Sequence, residues 1–299
     1  MRLGTACNNR CLHCTVKDLW HLPNRNTQAC IQELQRGREL GCEELVFMRG
    51  DPAIREDIVE LTTQARELGY THVQLQTNGR MLSYRKFLHR LTSAGASFFE
   101  VSLFGDQAGL HDGIAGADGA FAQTVAGLKN LVQAGTDFMV GVPVISRNFQ
   151  HLPAMAELLA GIAVPRVQFN FARPVRYRDR WVLDSIVRLS TAAPFIREAV
   201  STAKHLNMEA GTEAVPFCHL DADMHPGGDA SEDWSRHAVS DLHGGPTDMS
   251  EIRSQSRPRT KNCSGCVHEP DCPRTWAGYV QLFGDDEFFR VEPRRFERE

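Results

Sequence analysis

The sequence predicts an α/β fold: a partial (β/α)6 barrel of the TIM type followed by a small C-terminal domain with its own metal site. Three observations point there. Short β-rich runs alternate with helical stretches from residue 1 to about 175. A glycine follows each of four helical runs and precedes the next strand. Six of the nine cysteines gather in two tight groups, one directly after the first predicted strand and one near the C-terminus. Strands separated by helices of this length read as repeated βα units around a parallel sheet. Six units make an open barrel rather than a closed eight-fold one, with its chemistry at the C-terminal ends of the strands.

In chain order the predicted strands are Arg2–Thr5, Glu44–Met48, His72–Gln76, Phe98–Leu103, Phe138–Val144 and Arg166–Phe171. Between them Asp57–Leu68 sets Ile58, Leu61, Ala65 and Leu68 on one helical face, and Ala120–Ala134 does the same with Phe121, Val125, Leu128 and Leu131. Gly41, Gly69, Gly95 and Gly135 stand where helix C-caps belong. After Pro174 the pattern changes. Trp181–Leu206 reads as mainly helical, as two helices broken near Pro194, within a connector spanning 176–212. Residues 213–299 form the second domain, in which 221–258 is rich in Gly, Asp, Ser, His and Pro and reads as a flexible segment. His219, His225, His237 and His243 lie in or beside it, and the tail 294–299 is charged.

Composition narrows the function classes. Hydrophobic residues at 42% and charged residues at 23% describe an ordinary globular chain rather than a disordered one. A net charge of −4 gives no electrostatic footing along a nucleic-acid backbone. No apolar run approaches the roughly 20 residues of a membrane helix, and the start lacks the apolar core of a secretory signal. The expectation is a cytoplasmic protein with neither nucleic acid nor membrane as partner.

Cys7, Cys11 and Cys14 have the spacing C-x3-C-x2-C. Clustered thiols in such a chain indicate metal rather than disulfides, and spacing alone leaves zinc and iron both open. Three thiolates can ligate three irons of a cubane, with the fourth iron open to an exogenous ligand. This loop resembles that of the radical S-adenosylmethionine (SAM) superfamily, whose hallmark is this spacing after the first strand of a partial barrel. The resemblance implies a 4Fe-4S cluster on the three cysteines and SAM chelated at its unique iron. Reductive cleavage to a 5′-deoxyadenosyl radical then abstracts a substrate hydrogen, with flavodoxin or ferredoxin as the electron donor.

The resemblance extends over roughly residues 3–175. His13 stands where the family prefers an aromatic residue beside adenine. Arg49-Gly50-Asp51-Pro52 occupies the place of the GGEP motif, with Gly50 and Pro52 matching, Asp51 shortening the carboxylate and Arg49 replacing a glycine. Asp51 can accept a hydrogen bond from the SAM ammonium, although a plain strand-end turn explains the same residues. Thr77 and Asn78 of LQTNGR would face the pocket, and Ser102 of VSLFG is a candidate for the SAM ribose or carboxylate. Arg147 follows the fifth predicted strand, and Asn170 and Arg173 lie near the C-terminal end of the sixth, where an arginine can pair with a carboxylate or simply face solvent.

Cys263, Cys266 and Cys272 have the spacing C-x2-C-x5-C, and Cys218 is the natural fourth ligand. By itself such a set suits structural zinc. In the family context it resembles the SPASM/twitch extensions, which implies one auxiliary 4Fe-4S cluster, with His219 and His268 as replacement ligands should Cys218 stand apart. Cys30 and Cys42 read as packed thiols. The expected activity is oxidative modification of a peptide or small natural-product-type substrate, by cross-link or ring formation or by dehydrogenation. Epimerisation and a non-catalytic zinc protein are the alternatives.

Overall fold

The computed structural model describes residues 1–224, 233–241 and 246–292. Five expected strands form: β1 (Glu44–Phe47), β2 (His72–Thr77), β3 (Phe98–Ser102), β4 (Asp137–Val144) and β5 (Arg166–Phe171). Each pairs in parallel with the next, so that Leu75 lies opposite Phe99 and Val101 opposite Val140. The crossovers carry α2 (Ile58–Glu67), α3 (Arg85–Ser93), α4 (Ala108–Ala115) with α5 (Ala120–Ala134), and α6 (Leu152–Ile162). Helix α1 (Thr27–Glu39) leads into β1.

Two expectations change. The predicted first strand Arg2–Thr5 is reduced to one bridge, Arg2 with Met48. It leaves the ladder because the Asn24 side chain takes over its donors: Asn24 Oδ1 accepts from the amides of Thr5 at 2.9 Å and Ala6 at 3.1 Å. The sixth strand of the sheet is instead β6 (Glu209–Glu213), which pairs with β5 and sets Glu213 opposite Asn170. Trp181–Leu206 is also not two helices. Arg176–Tyr177 and Arg180–Trp181 form a small hairpin, and α7 (Leu189–His205) runs unbroken through Pro194. That proline forfeits one backbone hydrogen bond, while buried Ala192, Ile196, Ala199 and Val200 hold the helix to the core.

Helix ends follow one device. Past α1, α2, α3 and α5, residues Gly41, Gly69, Gly95 and Gly135 take positive φ, and the pair of amides after each helix closes back on its last turn. Ala163 does the same after α6 at φ 66°, with Val164 N donating to Leu159 O at 3.0 Å.

The sheet's outer face is apolar and buried under the helices through Val73, Leu75, Phe99, Val101, Val140 and Phe169. The register puts Gln74, Gln76, Glu100, Ser102, Gln168, Asn170 and Glu213 on the opposite, inner face. Parallel sheets normally bury apolar residues on both faces, so a polar inner face marks a lumen. At its centre Glu100 Oε2 accepts from Gln74 at 3.1 Å and from Gln76 at 2.8 Å. Burial, reinforced by the charge of Glu213, pushes its carboxyl from about 4.5 to about 7, although the two amides pull the other way.

Within the expected flexible segment, residues 225–232 and 242–245, with His225 and His243, lie outside the described residues, as does the tail 294–299. Ala238–Ser240 pairs with Pro246–Asp248, and Arg2 N donates to Ser240 O at 3.0 Å. This stretch therefore runs along the edge of the sheet beside the N-terminus. Two short helices follow, α8 (Met249–Ser256) and α9 (Ala277–Phe283).

Replacing Ala163 with Gly should stabilise the protein by about 0.5–1 kcal/mol in urea unfolding, because glycine adopts the left-handed cap without a Cβ penalty. Glu100→Gln should stabilise it by up to about 3 kcal/mol at pH 8 and by almost nothing near pH 4.5. A carboxyl whose folded pKa is raised contributes fully below its unfolded pKa, and that contribution is lost as pH rises through about 7. A stability difference between variant and wild type that stays flat from pH 5 to 8 would contradict this reading of Glu100.

Candidate active site and second cysteine pocket

The cysteine loop is held from three sides. Gly50, at φ 60°, packs against it so closely that a Cβ would stand 2.3 Å from Ala6 O. The next amide, Asp51 N, donates to Ala6 O at 2.7 Å. From the other side Arg10 N donates to Ala115 O at 2.7 Å and Leu12 N to Ile114 O at 3.0 Å, at the end of α4. From β2, Asn78 Nδ2 donates to Asn8 Oδ1 at 2.6 Å and approaches Cys7 Sγ at 3.7 Å. Arg80 donates to Asn9 Oδ1 at 2.8 Å, to Asn8 O, and to Gln123 Oε1 at 2.6 Å.

Asp51 is the joint of this assembly. Its buried carboxylate accepts from Thr77 Oγ1 at 2.8 Å, Ala53 N at 2.9 Å and Asn78 N at 3.1 Å. Burial pushes its pKa up, against the pull of those donors. Three of about four acceptor positions of a carboxylate are thereby occupied within the chain, so the shortened GGEP acid ties the ends of β1 and β2 together. Pro52 starts the short 3-10 helix Pro52–Ile54 that Asp51 caps.

The other predicted residues divide into two sets. His13 packs edge-on against Phe104, with ring centroids 5.0 Å apart, and its Nδ1 is buried without a partner among the described residues. Burial holds its pKa down at about 4, so the ring is neutral. Asn170 Oδ1 on the inner face is likewise buried and unpartnered. Ser102 ends β3 on that same face. Arg147 is instead exposed past β4, held by no hydrogen bond or ion pair among the described residues, which fits a surface role. Arg80 and Phe104 were missed in sequence. Arg80 directly follows the TNG already singled out, so adjacency was the available signal.

Cys7, Cys11 and Cys14 are half-buried free thiols. Asn9 N donates to Cys7 Sγ at 3.3 Å. Burial, then Asp51, pushes Cys7 up to about 11, and burial pushes Cys11 above the ordinary thiol range. Left alone such thiols stay protonated at neutral pH; bound metal is what ionises them. Three free thiols on one loop, with amide donors at Cys7 Sγ and the unpartnered Nδ1 of His13 between Cys11 and Cys14 in sequence, fit a cluster with an organic ligand seated against it.

Cys218, Cys263, Cys266 and Cys272 line one pocket, together with Phe217, His268, Phe288 and Phe289. Val291 N approaches Cys266 Sγ at 3.5 Å, and Thr260 Oγ1 stands 3.3 Å from Cys263 Sγ. Backbone amides of Phe289 and Phe217 face Cys218 and Cys272. Donors of this kind tune thiolate ligands. Among the described residues no three Cys, His, Asp or Glu side chains converge on a single metal ion. His219, the other replacement candidate, has its Nε2 2.9 Å from Glu287 O, which engages one of its two ring nitrogens. Cys30, on α1, is buried in the main core, as expected, and Cys42 packs against that core.

The pocket is fastened to the barrel. Buried Arg257 donates to Glu213 Oε1 at 2.7 Å and stacks over Trp276 at 4.2 Å, and Trp276 Nε1 donates to Phe171 O at 2.6 Å. Among the described residues no helix is long and apolar enough to cross a membrane.

Comparison with known proteins agrees with this geometry. The profile of the Radical SAM superfamily matches residues 1–159. An Fe-coproporphyrin III synthase of Methanosarcina barkeri is 31% identical over 54% of this chain and 41% of its own. Pre-heme d1 synthase of Dinoroseobacter shibae is 25% identical over 95% of this chain and 82% of its own. The chain spans about half the length of most curated relatives it matches. Among solved structures, Streptococcus suis SuiB bound to S-adenosylmethionine superposes with TM-score 0.63 at 14% identity, over 97% of this chain and 75% of that one. The anSMEcpe complex with AdoMet and Kp18Cys peptide superposes with TM-score 0.64 at 13% identity, over 93% and 92%. The chain belongs to the radical SAM superfamily.

Proposed function

We propose that this enzyme oxidatively modifies a peptide or small natural-product-type substrate held on the polar inner face of the barrel. The observation that carries the proposal is the second pocket: four cysteines line one cavity that Arg257 and Trp276 fasten to the strand ends. When bound, SAM and the two 4Fe-4S clusters supply a 5′-deoxyadenosyl radical and a sink for the electron that an oxidation releases. The chain's own residues do the rest. Cys7, Cys11 and Cys14 would hold the first cluster through three thiolates. His13 and Phe104 form a wall for the adenine. Gly50 keeps the loop close, and Thr77 and Asn78 orient Asp51 and the loop. Ser102 and Asn170 present polar atoms to the lumen. Residues 1–175 are the barrel and 213–299 the auxiliary domain, with the connector 176–212 contributing β6. Flavodoxin or ferredoxin is the proposed electron donor.

A tetrapyrrole is a second reading of the substrate, favoured by the alignment with pre-heme d1 synthase over 95% of this chain. Iron coproporphyrin III that raises 5′-deoxyadenosine formation above the substrate-free rate would support it.

Anaerobically purified protein should be brown and carry roughly eight irons per chain. On reduction with SAM it should release 5′-deoxyadenosine. Alanine at Cys7, Cys11 and Cys14 should abolish that release and leave roughly four irons. Alanine at Cys263 and Cys266 should also remove about four irons yet spare SAM cleavage. A colourless, zinc-loaded protein would contradict the proposal.

A further inference from the structure

Arg49 carries two costs that nothing among the described residues offsets. Its backbone has φ 70°, a left-handed conformation that disfavours any residue with a Cβ. Its side chain is half-buried, yet no hydrogen bond or ion pair holds it among the described residues. Buried charges are normally paired. Its surroundings are adverse as well. Burial first, then the charge of Arg2, lowers its pKa to about 10; Arg173 adds to that shift, and Asp241 opposes it. Asp241, the one acid among these influences, is already engaged by Arg2. At neutral pH the guanidinium remains charged.

Placement supplies the meaning. Arg49 lies just past β1, adjoining Gly50 and hence the cysteine loop, and Cys14 is within its electrostatic reach. Arg173 lies just past β5, exposed, its guanidinium 5.9 Å from the Trp276 ring, with no anionic partner among the described residues. Both arginines lie past C-terminal strand ends, and neither has a hydrogen-bonded or ion-paired anion among the described residues, which leaves room for one. The planar guanidinium fork matches a carboxylate. Strain and an unpaired charge kept at the mouth of a site are features that function retains against stability.

We infer that Arg49 and Arg173 form a carboxylate-binding pair at the barrel mouth that anchors an acidic group of the substrate. This rests on the proposed function and narrows it to carboxylate-bearing substrates, whether the acid belongs to a peptide or to a smaller molecule.

Succinate and its neutral isostere succinamide serve as probes, titrated calorimetrically into holoenzyme saturated with S-adenosylhomocysteine. Succinate should bind in the millimolar range and succinamide should not. Arg49→Gln and Arg173→Gln should each weaken succinate binding about tenfold or more, and Arg147→Gln should leave it unchanged. Arg49→Gly, which tolerates positive φ, should repeat the loss in a chain relieved of strain. Equal binding of the two probes, no succinate binding, or wild-type binding by Arg49→Gln would overturn the assignment. The carboxylate of SAM itself is separated by a second titration. The SAM dissociation constant should stay within about twofold in both Gln variants, and a tenfold weakening would assign the pair to SAM and overturn the substrate anchor. Failure of the radical reading shows elsewhere, in iron content and 5′-deoxyadenosine release.

Discussion

The contact between the turn after β1 and the cysteine loop is the constraint on which the rest of the site depends. Gly50 allows the two backbones to touch, Asp51 N closes on Ala6 O, and the Asp51 carboxylate passes the restraint on to Thr77 and Asn78. Asn78 and Arg80 then return to the loop through Asn8 and Asn9. This closed circuit of backbone and side-chain bonds fixes three thiols on a loop that has almost no strand of its own. The buried Asp51 carboxylate braces the strand ends, with most of its acceptor capacity used inside the chain.

The polar inner face and the second pocket adjoin this frame. Glu100, Asn170 and Glu213 face one lumen, and Arg257 reaches Glu213 from the segment that leads into the C-terminal cysteines. Glu100 lies mid-sheet on that face, whereas Glu213 ends β6 and is paired with Arg257, and Arg49 and Arg173 lie past the ends of β1 and β5.

Much of this was legible in the sequence, for physical reasons that can be named. The strands β1 to β5 announced themselves because their outer faces must be apolar to pack on helices, and the capping glycines because only glycine enters the left-handed region without cost. Cysteine spacing singled out both cysteine groups, and the four C-terminal cysteines line one pocket. Strand β6 escaped, since EAGTE has no apolar face to display; it borrows its stability from pairing with β5. The reduction of Arg2–Thr5 to a bridge escaped too, because it depends on Asn24, a residue without local signal. Pro194 suggested a break that tertiary packing overrides. Arg80 and Glu100 acquire their roles only once distant strands are brought side by side.

The central claim is that the chain holds two clusters of unlike ligation, one open to SAM and one closed by four cysteines. Electron paramagnetic resonance of the dithionite-reduced protein, with and without SAM, tests this directly. The account predicts two overlapping cluster signals, of which one shifts when SAM is added and is missing when Cys7, Cys11 and Cys14 are replaced by alanine. The other should be unmoved by SAM and should vanish when Cys263 and Cys266 are replaced. A spectrum in which no signal responds to SAM, or in which the C-terminal cysteines contribute no cluster, would contradict it.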